Sequence, residues 1–302
     1  MPERTFQGAA LQEFEGQGRY RARGLSVRWL VTGANGMFGT DLRDVLAGHG
    51  YEVTGIGTAD CDIRDLDAVR AVLQEGYDVV VNAAAWTAVD AAEAQEPAAF
   101  AVNAVGARNV ALAAREAGAR MVQISTDYVF DVVATTPYAA DHPQAPCSAY
   151  GRTKAAGEWA VRLADPASMV VRTAWLYGNH GPSFVKTMLR LARERETISV
   201  VDDQRGQPTW TRDLCEFIVA LINTEVPGGF YHGTNEGEVT RYDLARAIFT
   251  LADLDPERVN PCTTTDFPLQ APRPAYSVLD HAAGVPAMPT WHDALQRYLS
   301  IP

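Results

Sequence analysis

The sequence predicts an α/β fold in which a doubly wound parallel sheet is followed by a smaller, mixed α/β lobe. Three observations carry this. Short runs rich in Val and Ile alternate with segments of helical period from residue 27 to 177, the pattern of a parallel sheet covered on both faces. Glycines at 33, 36 and 39 fall between the first apolar run and the first helical segment. Beyond Tyr177 the alternation loosens, and prolines crowd the stretch from Pro256 to Pro289.

Each element follows from local pattern. Regular structure begins at 27-VRWLV-31, a strand-length apolar run, and continues into a helix on which Leu42, Val45 and Leu46 share a face before Gly48 and Gly50 close it. Strands are expected at 51–57, 77–85, 119–125 and 168–177, with helices over 66–76, 97–118 and 148–163. Further on, helices are expected at 183–196, 211–223 and 240–252 and strands at 197–203 and 229–235. The proline-dense stretch reads as an irregular wrapping segment. This divides the chain into a flexible extension (1–26), a dinucleotide-binding domain of Rossmann type (27–175, rejoined by a strand at 229–234) and a substrate-binding lobe (176–302).

Composition narrows the function. A formal net charge of −11 argues against nucleic acid as a partner, because phosphate backbones demand a basic surface. Cys61, Cys147, Cys215 and Cys262 are scattered, with no CxxC and no paired histidines, so no metal site is expected and the thiols suit a reducing compartment. The first 26 residues carry neither a signal-peptide core nor a membrane span, which makes the cytoplasm the expected location and excludes a membrane partner.

The segment 29-WLVTGANGMFG-39 has the physical logic of a dinucleotide site. Gly33 permits the tight turn, Gly36 lets the backbone approach a pyrophosphate, and Gly39 lets helix and strand pack closely. The helix N-terminus then offers free N–H groups to the phosphates. A tight turn without a ligand is the bland alternative. At the end of the second strand, 55-GIGTAD-60 offers neither an acid for a ribose nor an adjacent Arg or Lys for a 2′-phosphate, so NADPH and NADH both remain open, with a slight lean to NADPH. Asp62 and Ile63 are placed either near the adenine or at a helix start.

Downstream, Tyr150 and Lys154 in 148-SAYGRTKAAGE-158 are four residues apart and share a helix face. A neighbouring ammonium would lower the phenol's pKa and ready it to protonate a ketone. Taken with 82-NAAAWTAVD-90 and 125-STDYVF-130, these motifs resemble the extended short-chain dehydrogenase/reductase family, and within it the dTDP-4-dehydrorhamnose reductase family. The likeness extends through 172-RTAWLYG-178, 201-VDDQRGQPTWTRDL-214, 230-FYHGTNEGEVTRYDLA-245 and 273-RPAYSVLD-280.

The resemblance implies a Rossmann fold and NAD(P)H-dependent reduction of a nucleotide-linked 4-keto-6-deoxysugar. It makes Tyr150 the proton donor, Lys154 its partner and Thr126 the hydroxyl that grips the ketone. It places Asp127, Trp175 and Val89 at the sugar and Gly36, Met37, Phe38, Asp62, Ile63, Ala85 and Thr87 at the dinucleotide. Gln204 and Arg273 become nucleotide or diphosphate contacts. On residue type alone, Trp175 is more often a packing aromatic than a ligand contact, Asp127 is as readily a turn-former as a site residue, and Arg273 reads as a solvated surface residue. Tyr128 is a decoy, lacking a lysine one turn away. The chain departs from the family at Trp86, Gly57, Ser183 and Tyr276, which puts the sugar and the cofactor preference in doubt. Two alternatives follow: a ketoreductase for another deoxysugar, or a regulatory subunit like the β subunit of methionine adenosyltransferase. The oligomeric state stays open, a homodimer among the options.

Overall fold

The computed structural model describes residues 27–301 apart from 132, 225, 268, 282 and 283; the expected extension over 1–26 lies outside the described residues. The first strand, β1 (Arg28–Thr32), is buried from Trp29 onward. It leads through the glycine turn into α1 (Met37–Gly48) and back to β2 (Glu52–Ile56), which pairs with β1 in parallel. Helix α2 (Leu66–Leu73) is capped by the Asp65 carboxylate, which accepts from the Asp67 and Ala68 amides, and precedes β3 (Val79–Asn82). Helices α3 (Val89–Ala94), α4 (Glu96–Phe100) and α5 (Ala107–Ala117) carry the chain to β4 (Arg120–Thr126). Helix α6 (Ala149–Ala164), capped by Ser148, returns it to β5 (Met169–Thr173).

These strands and β10 (Gly229–His232) form one six-stranded sheet in the order β10-β5-β4-β3-β1-β2, parallel at every pairing. The strand order reverses at β1, whose neighbours are β2 and β3. In open α/β sheets the crevice beyond the strand ends at such a switch point is where ligands bind. Trp29 and Val31 pack on one face against α1 and α8 (Thr211–Asn223). Leu30 and Val80 pack on the other against α2, α5 and α6. The buried runs thus read as continuously apolar because both faces are covered.

Outside the sheet lie the pairs β6 (Leu176–Tyr177) with β9 (Thr209–Trp210), and β8 (Arg205–Gly206) with β11 (Val239–Thr240). A separate core joins α7 (Phe184–Glu194), α9 (Arg241–Leu251) and α10 (Trp291–Leu299) through Val185, Met188, Ile248, Phe249 and Leu295.

Three expectations need correction. The strand expected over 168–177 ends at Thr173, because Trp175 has φ 46, a left-handed conformation that no continuous strand accommodates. The helix expected over 97–118 is interrupted by a π-helical segment, Ala101–Gly106. Inside it, the Asn103 side chain bonds both the N–H and the carbonyl of Trp86 and the Thr153 hydroxyl, pinning the loop that follows β3. The proline-dense stretch is not merely irregular: β12 (Val259–Cys262) pairs in parallel with β7 (Ile198–Val201), despite Pro261, because β12 has a single partner strand.

Candidate active site

A cavity of ≈ 990 Å³ opens along the C-terminal ends of the strands, running from the glycine turn past Tyr150 and Lys154 to Trp175 and Arg241. At its first end the backbone itself is the binding surface. Gly33 holds φ +66, and a Cβ there would lie 2.5 Å from the Ala84 amide nitrogen. A Cβ on Gly39 would collide with the Gly33 carbonyl oxygen. Helix α1 begins without a side-chain cap, so its first N–H groups face the cavity unpaired, a ready site for phosphates. Asp62 and Ile63 line this end, together with Met37, Phe38, Ala85 and Thr87. Two buried hydroxyls that line the cavity from β4 and β5, Ser125 Oγ and Thr173 Oγ1, have no hydrogen-bond partner among the described residues. Orphaned hydroxyls and an uncapped helix N-terminus opening on one cavity fit a long, polar, phosphate-bearing ligand such as a dinucleotide.

Midway, β4 and α6 bring the reactive side chains together. Thr126 ends β4 and caps the short turn that follows; its hydroxyl donates to Asp127 Oδ1 at 2.9 Å. Tyr150 sits in the first turn of α6, and burial pushes its phenol well above the ordinary range, with the Thr126 hydroxyl acting in the opposite direction. Lys154, one turn on, is 4% exposed and donates from Nζ to the Ile124 carbonyl at 2.7 Å. Burial lowers its pKa to about 8. Lys154 Nζ is thus engaged by the Ile124 carbonyl, and burial is the first cause of the shift of the Tyr150 phenol.

At the far end, burial raises the Asp127 carboxyl to about 6, against hydrogen bonds from Ser277 and Thr126, and its Oδ2 has no partner. Tyr128 also lines this wall. Its ring meets that of Tyr150 edge-on at 5.6 Å, and burial raises its phenol to about 12. Trp175 lies over Gly206, where a Cβ would come within 2.6 Å of the indole. Arg241 also lies over this indole, its guanidinium carbon 3.5 Å from the Trp175 ring centre.

The model of one protein family, described as RmlD substrate binding domain, matches residues 27–301. The chain belongs to this family. Among its relatives, a dTDP-4-dehydrorhamnose reductase of Streptomyces griseus is 48% identical over 278 residues, covering 89% of this chain and 91% of that protein. A dTDP-4-keto-6-deoxy-D-glucose reductase of Streptomyces niveus is 48% identical over 274 residues, 89% of this chain and 95% of that protein. The crystal structure of dTDP-4-dehydrorhamnose reductase from Bacillus anthracis str. Ames in complex with NADP superimposes with a TM-score of 0.87 at 40% identity, covering 91% of this chain and 99% of that one.

Within this RmlD-type framework most residues singled out from the sequence meet at one cavity: Gly33, Gly36, Gly39, Thr126, Asp127, Tyr150, Lys154, Trp175 and Val89 all line it. Two do not. Gln204 lies off the cavity, its amide donating to the Thr264 hydroxyl at 2.9 Å. Arg273 is committed to an ion pair with Asp90 at 2.7 Å. Sequence reasoning missed Arg241 and Arg64. Arg64 lines the cavity and grips Asp62 at 2.6 Å; its closeness to Asp62 in sequence was an available signal. Arg241 carried no such signal, because only the docking of α9 brings it to Trp175.

Proposed function

We propose that the protein is an NAD(P)H-dependent reductase of the C4 ketone of a dTDP-4-dehydro-6-deoxyhexose, converting dTDP-4-dehydro-L-rhamnose to dTDP-L-rhamnose. The observation that carries this reading is the convergence of Thr126, Tyr150 and Lys154 on a cavity that begins at an uncapped, glycine-lined helix N-terminus. A reduced nicotinamide dinucleotide, held along Gly33–Gly39 and by Ser125 and Thr173, supplies the hydride. Thr126 and Tyr150 grip the ketone oxygen. The raised pKa of Tyr150 keeps the phenol protonated at neutral pH, so it enters as a competent acid and gives its proton to the oxygen as negative charge grows there. Lys154 lies one turn away and titrates near 8, which suits it to restoring that proton. Asp127, with one oxygen unpartnered, is placed to accept from a sugar hydroxyl.

The family relationship supports the reductase class, and the names of the relatives support a dTDP-sugar substrate. A second reading rests on the Streptomyces niveus relative, which matches as well as the rhamnose-forming one: the preferred sugar is then a different 4-keto-6-deoxyhexose. Cytoplasmic action is consistent with four cysteines that are all free. Among the described residues no helix is long and apolar enough to cross a membrane.

The test is turnover. NADPH and NADH oxidation are followed with enzymatically prepared dTDP-4-keto-6-deoxyhexoses, and the product configuration at C4 is read by NMR. Rhamnose as product supports the first reading and another C4-reduced sugar the second. No oxidation with any of these substrates overturns both.

A further inference from the structure

Arg241 opens α9 directly after its Thr240 cap. Its guanidinium lies over Trp175 at 3.5 Å and faces Phe184 at 5.0 Å. Other arginines stacked on rings in this protein, among them Arg28, Arg172, Arg246 and Arg297, also hydrogen-bond through their guanidinium groups. That of Arg241 makes no hydrogen bond or ion pair among the described residues. It is half-buried at the cavity wall, and burial lowers its pKa to about 10, which leaves it charged at neutral pH. Tyr128 and Asp127 act on it in the opposite direction, and the charge of Arg273, already committed to Asp90, adds to the lowering.

A half-buried guanidinium that hydrogen-bonds no group among the described residues keeps its N–H donors free for a ligand entering the cavity. The reaction offers anions only on its two phosphate-bearing molecules. Those of the dinucleotide belong at the glycine turn, at the opposite end of the cavity. Stacking on Trp175 occupies one face of the guanidinium and leaves its planar edge of N–H donors for an oxyanion, the geometry of bidentate phosphate recognition.

We propose that Arg241 is the anchor for the diphosphate of the sugar-nucleotide substrate, and that its stack on Trp175 couples phosphate binding to the placement of the sugar. This deepens the reading of a dTDP-hexose substrate and rests on it. Trp175, held in a left-handed conformation and in contact with both Arg241 and Gly206, then forms a fixed wall against which the sugar is oriented.

Calorimetric titration with dTDP and with thymidine, each in the presence of NADPH, tests this on the wild type and on Arg241→Gln and Arg241→Lys. NADPH affinity serves as the control for folding. The expected result is a loss of dTDP affinity of at least about tenfold in Arg241→Gln, with a smaller loss in Arg241→Lys. Thymidine affinity stays unchanged, and NADPH affinity stays within about twofold. Arg241→Gln binding dTDP as the wild type does, with NADPH binding intact, overturns the anchor and leaves the dTDP-sugar reading standing. A wild type that binds NADPH but not dTDP overturns the substrate reading itself, and the anchor with it.

Discussion

At the scale of single residues the site is governed by desolvation. Tyr150, Lys154 and Asp127 are each shifted first of all by burial, toward the neutral form. For Lys154 the sign is clear. Its pKa falls from the ordinary 10.5 to about 8, so the ammonium is lost as pH rises through 8. If that ammonium recharges the phenol, kcat falls above pH 8 in the wild type, and Lys154→Arg, whose guanidinium does not release its proton, lowers turnover at every pH; a wild-type kcat flat to pH 9.5 contradicts this. Trp175 depends on the missing side chain at Gly206. Gly206→Ala would place a methyl against the indole, so KM for the keto-sugar is expected to rise about tenfold or more with NADPH affinity unchanged, in line with the cost of a small misplacement in an active site. Residues of this kind show why the sequence was only partly informative. Tyr150 and Lys154 were legible because their pairing is local to one helix turn. The left-handed backbone of Trp175 and the approach of Arg241 depend on segments far apart in the chain, and no local pattern encodes them.

At the scale of elements, α6 is the part that must be held still, and a buried ion pair holds it. Glu158, on the same helix as Tyr150, meets Arg172 of β5 at 2.8 Å with both side chains almost fully buried. Arg172 also donates to the Ala140 carbonyl and lies between Phe130 and Phe230. Removing one partner leaves the other charge buried, so Glu158→Ala is expected to cost about 3–5 kcal/mol in urea unfolding; a loss below about 1 kcal/mol would fit a solvent-exposed pair instead. The alternation of strands and helices was readable because apolar runs of strand length are separated by helical faces. The π segment at Ala101–Gly106 was not, since it arises from Asn103 reaching across to Trp86 and Thr153. Nor was β12 within its prolines, since its pairing with β7 depends on a distant partner.

At the scale of the whole molecule, a six-stranded sheet and a second apolar core meet around one cavity, and the ligand joins their surfaces. The glycine cradle and the orphaned hydroxyls of β4 and β5 belong to the sheet, while Arg241 belongs to α9. A ligand that binds only this folded arrangement stabilises it by mass action. NADPH at a hundredfold excess over its Kd is expected to add about 2.7 kcal/mol to the unfolding free energy, read as a rise in Tm. Gly33→Ala, whose Cβ would strike the Ala84 backbone from a left-handed position, should abolish that rise. An undiminished rise would detach the glycine turn from cofactor binding.

The central claim is that Tyr150 delivers the proton to the reduced ketone, and one substitution addresses it most directly. Tyr150→Phe removes only the hydroxyl, so NADPH affinity should stay within about twofold while turnover of the dTDP-4-keto-6-deoxyhexose falls by about a hundredfold or more. Near-normal turnover by that variant would contradict the account.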